Sequence, residues 1–276
     1  MTQLSDIAAT TAALEPGLVA SATWGSGEPV LFLQGLGLAG RAWMPQLRVL
    51  ARYHTCAWYD NRGVGNTPAP DHRVTIGSLV DDALDLLDAL GWERAHLVGH
   101  SMGGVVAQEL ALRHPHRTKS LALLCTFRRG RDVLHPRRGL WRHGLTALMG
   151  PPAIRTRALT RMLASEHDIS RDGIDTIAAR LGVEFGRPVG RRPAVARAQF
   201  RALAEHPGSD LTALQGLPSL VISGAGDPLA PSAGGERLAA AIGARQFIII
   251  PQASHALPIL QQHTVNALLR DHLAAR

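Results

Sequence analysis

Ser101 lies in Gly99-His100-Ser101-Met102-Gly103, where an apolar run, Ala95 to Gly99, gives way to an apolar-periodic segment, Met102 to Arg113. Strand, sharp turn and helix in that order force the serine into a strained conformation that exposes its hydroxyl, and the flanking glycines leave room for the turn. Gly104 allows the helix to pack closely on the sheet. A serine hydroxyl is a poor nucleophile at neutral pH. It needs an imidazole to accept its proton and a carboxylate to fix that imidazole's tautomer and stabilise its charge.

Asp227 and His255 are the candidates for those roles. Asp227 follows the strand-like run Leu220 to Ser223 through Gly224-Ala225-Gly226, and His255 follows Phe247 to Ile250 through Pro251-Gln252-Ala253-Ser254. Both are therefore expected at the sheet edge that carries Ser101. The competing readings are a loop-capping aspartate before Pro228 and an exposed loop histidine. Of the other histidines, His100 is expected to point away from the nucleophile, and His114 and His116 lie past the helix end.

The elements that must position these residues are legible as apolar runs. Pro29 to Leu33 leads into Gln34-Gly35-Leu36-Gly37, and Tyr53 to Tyr59 leads into Asp60-Asn61-Arg62-Gly63-Val64-Gly65. Leu79, Val80, Ala83, Leu84, Leu87 and Leu90 keep helical spacing over Ile76 to Leu90, with Asp81, Asp82, Asp85 and Asp88 expected mostly on the opposite face and Gly91 as the stop. Ser120 to Cys125, Ser219 to Ser223 and Gln246 to Ile250 read as further strands, with a helix from Gly235 to Ile242. Alternating strands and helices predict an α/β fold, a mainly parallel sheet with helices on both faces.

The alternation stops over residues 126–210, where helical patches are cut by Pro136, Gly144, Gly150-Pro151-Pro152, Gly186-Arg187-Pro188 and Pro207-Gly208. The expected organisation is a core domain of residues 1–125 and 211–276 with a helical lid, residues 126–210, inserted between two strands.

Gly35-Leu36-Gly37, Asp60 to Gly65, Gly99 to Gly104, Gly226-Asp227 and Ser254-His255 together resemble the α/β-hydrolase family in order and spacing, from about Glu28 to the C-terminus and excluding most of the lid. Among its members the chain is most similar to small esterases, enol-lactonases and cofactor-free haloperoxidase-like enzymes. The resemblance implies the order nucleophile, acid, histidine, met here by Ser101, Asp227 and His255. Some members carry the acid after the preceding strand, but Thr126-Phe127-Arg128 offers no carboxylate there. The resemblance implies an ester or lactone hydrolase working through an acyl-enzyme. It also permits cleavage of a carbon–carbon bond beside a ketone, although Leu36-Gly37-Leu38 lacks the serine common in that loop. A non-hydrolytic cyclase or lyase, or a ligand receptor, are the readings from other classes.

Ester cleavage develops a negative oxygen, which two preorganised backbone N–H groups can stabilise. The candidates are Met102, after the nucleophile, and Leu36, in the first glycine loop. Gln34 stands where many relatives have histidine, and its amide is expected to bond either that loop or the substrate. Trp141, in the lid, is a candidate pocket wall. Arg62 is expected to tie neighbouring loops together, and the glycines around it lack the Lys-Ser/Thr pair of a phosphate loop.

Composition excludes several classes. Residues 126–210 hold 16 arginines against 8 acids, whereas the rest of the chain holds 13 basic residues against 14 acids, so the net +7 belongs to one segment. Lys119 is the only lysine, and a coding bias toward arginine explains much of that excess without nucleic acid. Lid arginines such as Arg128, Arg129, Arg137 and Arg138 read as a solvated surface, or alternatively as a clamp for a substrate carboxylate. Cys56 and Cys125 sit in apolar runs and read as buried, reduced thiols. No zinc-spaced cluster or nucleotide fingerprint is present, so no cofactor is expected. No segment reaches the roughly 20 apolar residues of a membrane span. The expectation is a cytoplasmic protein acting on a small ester, lactone or ketone.

Overall fold

The computed structural model describes residues 10–11, 19–130, 132, 146, 150–191 and 194–275. Its eight strands are β1 (Thr10–Thr11), β2 (Ser21–Trp24), β3 (Glu28–Leu33), β4 (His54–Tyr59), β5 (Ala95–His100), β6 (Thr118–Leu124), β7 (Ser219–Gly224) and β8 (Gln246–Ile250). They form one sheet in the order β1-β2-β4-β3-β5-β6-β7-β8. β1 and β2 are antiparallel, β2 runs antiparallel to β4, and every other neighbouring pair is parallel. The chain thus has the mainly parallel α/β sheet predicted, with an antiparallel edge added by β1 and β2.

Parallel strands need crossovers, and helices supply them. After α1 (Met44–Leu50) come α2 (Ile76–Ala89) and α3 (Met102–Arg113), which pack together, with α3 lying on β5 and β6. α8 (Ser232–Ile242) packs on β7 and β8. The short α9 (Leu257–Leu260) leads to α10 (Gln262–Ala274), which pairs with α1. Asn266 Nδ2 donates to Pro45 O at 3.0 Å, fastening that pair, and Gln46 Nε2 of α1 donates to Pro258 O of α9 at 2.6 Å.

The α2 segment starts one residue after Thr75, whose hydroxyl accepts from Ser78 N while Ser78 Oγ accepts from Thr75 N, a reciprocal cap that satisfies two orphan donors. Its apolar face is buried as predicted, but Asp82 is not on the solvent side. It is 3% exposed and takes Arg62 Nε at 2.7 Å. A helical face wider than its apolar stripe reaches the loop after β4, so the ion pair draws Asp82 inward. Arg62 does tie elements together, and its anchor is a helix.

Strands β5 and β6 are buried almost throughout, and with β3, α2 and α3 they form the main core. Among the described residues the α-helices α4 (Pro152–Leu163), α5 (Glu166–Asp172), α6 (Ile174–Phe185) and α7 (Ala196–Glu205) lie between β6 and β7. Ala164, Ile177, Leu181, Phe185 and Val189 form a second, smaller apolar cluster with Ala42 and Ala256 and with Ile259 and Leu260 of α9. Cys56 and Cys125 are both buried free thiols. No helix among the described residues is long and apolar enough to cross a membrane.

Candidate active site

The turn after β5 has the strain its sequence predicts. Ser101 adopts φ 53° and ψ −120°, a region L-residues rarely occupy, as the N-cap of α3. A Cβ at Gly99 would stand 2.6 Å from Gly103 O, and one at Gly103 would strike the carbonyl of Leu33. Only glycine allows the strand, turn and helix to come this close. Ser101 is held from both sides: its N–H donates to Leu124 O at 2.9 Å and Thr126 Oγ1 donates to its carbonyl at 2.7 Å.

β7 and β8 run parallel to β5, so the loops that follow all three emerge at one edge. There Ser101 Oγ lies 3.0 Å from His255 Nε2, and His255 Nδ1 lies 2.8 Å from Asp227 Oδ2. Asp227 is fully buried, and its other oxygen accepts from Leu229 N at 2.8 Å and Ala230 N at 2.9 Å. With Asp227 ionised, His255 donates from Nδ1 and presents Nε2 as an acceptor to the Ser101 hydroxyl.

His100 has no hydrogen bond to the Ser101 hydroxyl, yet its ring lies against that of His255. Its Nε2–H donates to the main-chain carbonyl of His255 at 2.9 Å, and the two rings lie 4.8 Å apart between centroids. Burial, with His255 adding to it, pushes His100 down to about 3, so the ring is neutral. The sequence signal was its position beside Ser101, although nothing local gave its partner.

The first glycine loop abuts the nucleophile turn: a Cβ at Gly35 would lie 3.1 Å from His100 Nδ1 and 3.5 Å from the Ser101 Cβ. The Leu36 N–H has no acceptor among the described residues, and Met102, first in its helix, has no intrahelical acceptor. Gly37 is gripped from the helical insert, its N–H by Gln199 Oε1 at 2.7 Å and its carbonyl by Arg187. The sequence pattern gave no hint of either contact. Gln34 is 2% exposed, and neither end of its amide has a partner, so the loop-bonding alternative finds no bond. Trp141 lies outside the described residues, as do Arg137 and Arg138.

Among the described residues one cluster could bring three metal-ligand atoms together, namely His100, Cys125 and His255, within 4.8 Å of one another. Both ring nitrogens of His255 and Nε2 of His100 are already engaged. Burial and the neighbouring Asp227 raise Cys125 well above the usual thiol range, which disfavours the thiolate a metal would want.

A second hydroxyl–imidazole–carboxylate line lies among β3, β5 and β6. Ser120 Oγ is 2.7 Å from His96 Nδ1, and His96 Nε2 is 3.0 Å from Glu28 Oε2. Here the carboxylate meets the other ring nitrogen, and Ser120 is a 3% exposed residue in a regular strand. Its hydroxyl has no strained turn to present it.

A sequence model of the alpha/beta hydrolase fold matches residues 28–152. A protein of Caulobacter sp. (strain K31) named "Putative carbamate hydrolase RutD" is 30% identical over 253 residues, covering 90% of this chain and 91% of that one. The chain belongs to the α/β-hydrolase family. A RutD protein of Variovorax paradoxus (strain S110) is 32% identical, over 90% of this chain and 92% of its own. A thermophilic esterase from Thermogutta terrifontis matches this α/β-hydrolase in structure with a TM-score of 0.74 and 28% identity, over 96% of each chain. The enol-lactonase from Burkholderia xenovorans LB400 matches with a TM-score of 0.76 and 26% identity, over 93% of this chain and 96% of that one. The chain is accordingly a hydrolase by family.

Proposed function

We propose that this α/β-hydrolase cleaves a carboxylic ester or lactone of a small molecule through an acyl-enzyme on Ser101. The observation that carries the reading is the unbroken line Ser101 Oγ, His255 Nε2, His255 Nδ1, Asp227 Oδ2, with steps of 3.0 and 2.8 Å at one sheet edge.

In this reading Ser101 Oγ attacks the carbonyl carbon as its proton passes to His255 Nε2, and Asp227 stabilises the imidazolium without taking the proton. The carbonyl oxygen becomes an oxyanion facing the Leu36 and Met102 N–H groups, each such donor being worth about 3 kcal/mol in the barrier. The tetrahedral species collapses, the leaving oxygen takes the proton from His255, and the alcohol departs. Water then repeats the sequence on the acyl-enzyme and returns the serine. In a lactone the leaving oxygen stays tethered to the acyl group, so one product leaves.

In this reading the segment between β6 and β7 is the lid, and its described helices are tied to the first glycine loop through Gln199 and Arg187 on Gly37. The carbamate hydrolase name carried by the RutD relatives favours a second reading, in which the same serine attacks a carbamate carbonyl. Purified protein assayed on p-nitrophenyl esters, γ-lactones, carbamates and vinylogous diketones separates these readings. Ester or lactone turnover, together with fluorophosphonate labelling that is lost in Ser101→Ala, is expected. Preference for the diketone would overturn the ester reading in favour of carbon–carbon cleavage, and folded protein that resists labelling would favour a receptor.

A further inference from the structure

Among the described residues three other than glycine take a left-handed backbone: Ser101 at φ 53°, Cys125 at φ 45° and Gln252 at φ 55°. They lie just past the ends of β5, β6 and β8. Such backbone is costly for an L-residue and persists where surrounding contacts hold it. At Ser101 the strain presents the hydroxyl, and Gln252 leads toward His255. Cys125 has no part in the proposed reaction, so its strain has another cause.

The residues on either side of Cys125 supply it. Leu124 O accepts the Ser101 N–H at 2.9 Å, and Thr126 Oγ1 donates to the Ser101 carbonyl at 2.7 Å. The chain bends at Cys125, between the residue that holds one backbone group of Ser101 and the residue that holds the other. Thr126 is buried and fills the room that Gly104 leaves: a Cβ at Gly104 would stand 2.6 Å from both Cβ and Oγ1 of Thr126. Gln108 of α3 anchors the next residue, its Nε2 donating to Phe127 O at 3.2 Å. The chain leaving β6 thus wraps the first turn of α3.

The carbonyl that Thr126 holds and the Met102 N–H are the two ends of one peptide unit. That unit is planar and trans, with C=O and N–H pointing in opposite directions, so fixing the carbonyl fixes the direction of the N–H. Donation to the carbonyl also polarises the unit and strengthens its N–H as a donor. Gly104 N donates to the same carbonyl at 3.0 Å, but it belongs to the same helical turn and would move with it. Thr126 ties the unit to the sheet instead. We infer that Thr126 is a positioning residue: brought over Gly104 by the turn at Cys125, its hydroxyl sets the Ser101–Met102 peptide so that the Met102 N–H faces the developing oxyanion. The inference rests on the ester-hydrolase reading above and adds to it a residue that touches no substrate atom.

Thr126→Val keeps the branched shape and removes only the donor, whereas Thr126→Ser keeps the hydroxyl. With p-nitrophenyl acetate, Thr126→Val should lower kcat roughly tenfold and leave KM within about twofold, because an oxyanion donor acts on the transition state and not on the bound ester. A trifluoromethyl ketone takes up Ser101 Oγ at its carbonyl carbon as the proton passes to His255, which leaves an oxyanion in the site. It should bind Thr126→Val roughly tenfold more weakly than wild type. Thr126→Ser should recover most of both losses. A folded Thr126→Val with unchanged kcat, a loss carried by KM alone, or a Thr126→Ser as impaired as Thr126→Val overturns the inference. If wild-type protein neither turns over the ester nor takes up the ketone, the hydrolase reading fails separately, and crystal structures of wild type and Thr126→Val decide the positioning role. A Ser101–Met102 peptide that turns when the hydroxyl is lost supports it, and an unmoved peptide ends it.

Discussion

The Nε2–H of His100 donates to the main-chain carbonyl of His255 across 2.9 Å, so the residue before Ser101 holds the backbone of the histidine whose ring meets the Ser101 hydroxyl. The bond joins β5 to the loop after β8 at the level of the reacting atoms. His100→Phe keeps the buried ring and removes the donor. At about 1 kcal/mol for such a bond, kcat should fall about five- to tenfold with KM moving less. Unchanged kcat in a folded variant would make the contact a packing detail.

Asp227→Asn tests the tautomer argument. Its retained oxygen can still accept from Leu229 N and Ala230 N, but an amide facing His255 Nδ1 would donate and turn Nε2 into the protonated nitrogen. Turnover should drop by about 10⁴ with little loss of fold. Steady-state kinetics beside a thermal melt checks both halves, and a loss below tenfold would remove Asp227 from the mechanism.

Acid should unfold this protein early, and for a nameable reason. Burial lowers His100 to about 3 and His272 to about 4, so both are neutral in the fold while the unfolded chain protonates near 6.5. The unfolded state therefore binds more protons below pH 6.5, and stability falls as pH drops from there toward 4 and then 3. Each histidine adds a slope approaching about 1.4 kcal/mol per pH unit within its window. Urea unfolding from pH 7 to 4.5 should show this trend, flatter in His100→Phe. A pH-independent midpoint would contradict it.

Arg62→Ala should cost about 3 kcal/mol, the penalty for leaving a buried carboxylate unpaired. Asp82 is 3% exposed and already pushed upward by burial against the pull of Arg62. Adding Asp82→Asn should recover part of the loss. Denaturant midpoints of the single and double variants measure the coupling, and simple additivity would show that the pair does not act together.

Much of this could be read along the chain because its causes are local. Apolar runs that lead into glycine marked β3, β5 and β7, an apolar run stopped by Pro251 marked β8, and the turn chemistry of Gly99 to Gly103 marked the strain at Ser101. The order nucleophile, acid, histidine that the family resemblance implies pointed to Asp227 and His255, whose loops follow two of these strands. What escaped has distant causes. Ser21–Trp24 is too short and polar to announce an edge strand, and it forms because β4 offers a free edge. Asp82 looks like a surface aspartate until Arg62 is brought to it. Gln199 meets Gly37 across 162 positions, a contact set only by how the insert settles on the sheet.

That settling ties the insert to both halves of the chemistry. Gln199 and Arg187 grip Gly37, while Ala256, directly after His255, donates its N–H to Leu163 O at 2.8 Å and Arg180 Nη2 reaches Ile259 O at 2.9 Å. In the proposed reaction, lifting the helices would pull in a single motion on the loop that carries the Leu36 N–H and on His255. Under that proposal admission and reaction become alternating states of one assembly, and turnover carries a rhythm set by how often these few bonds let go.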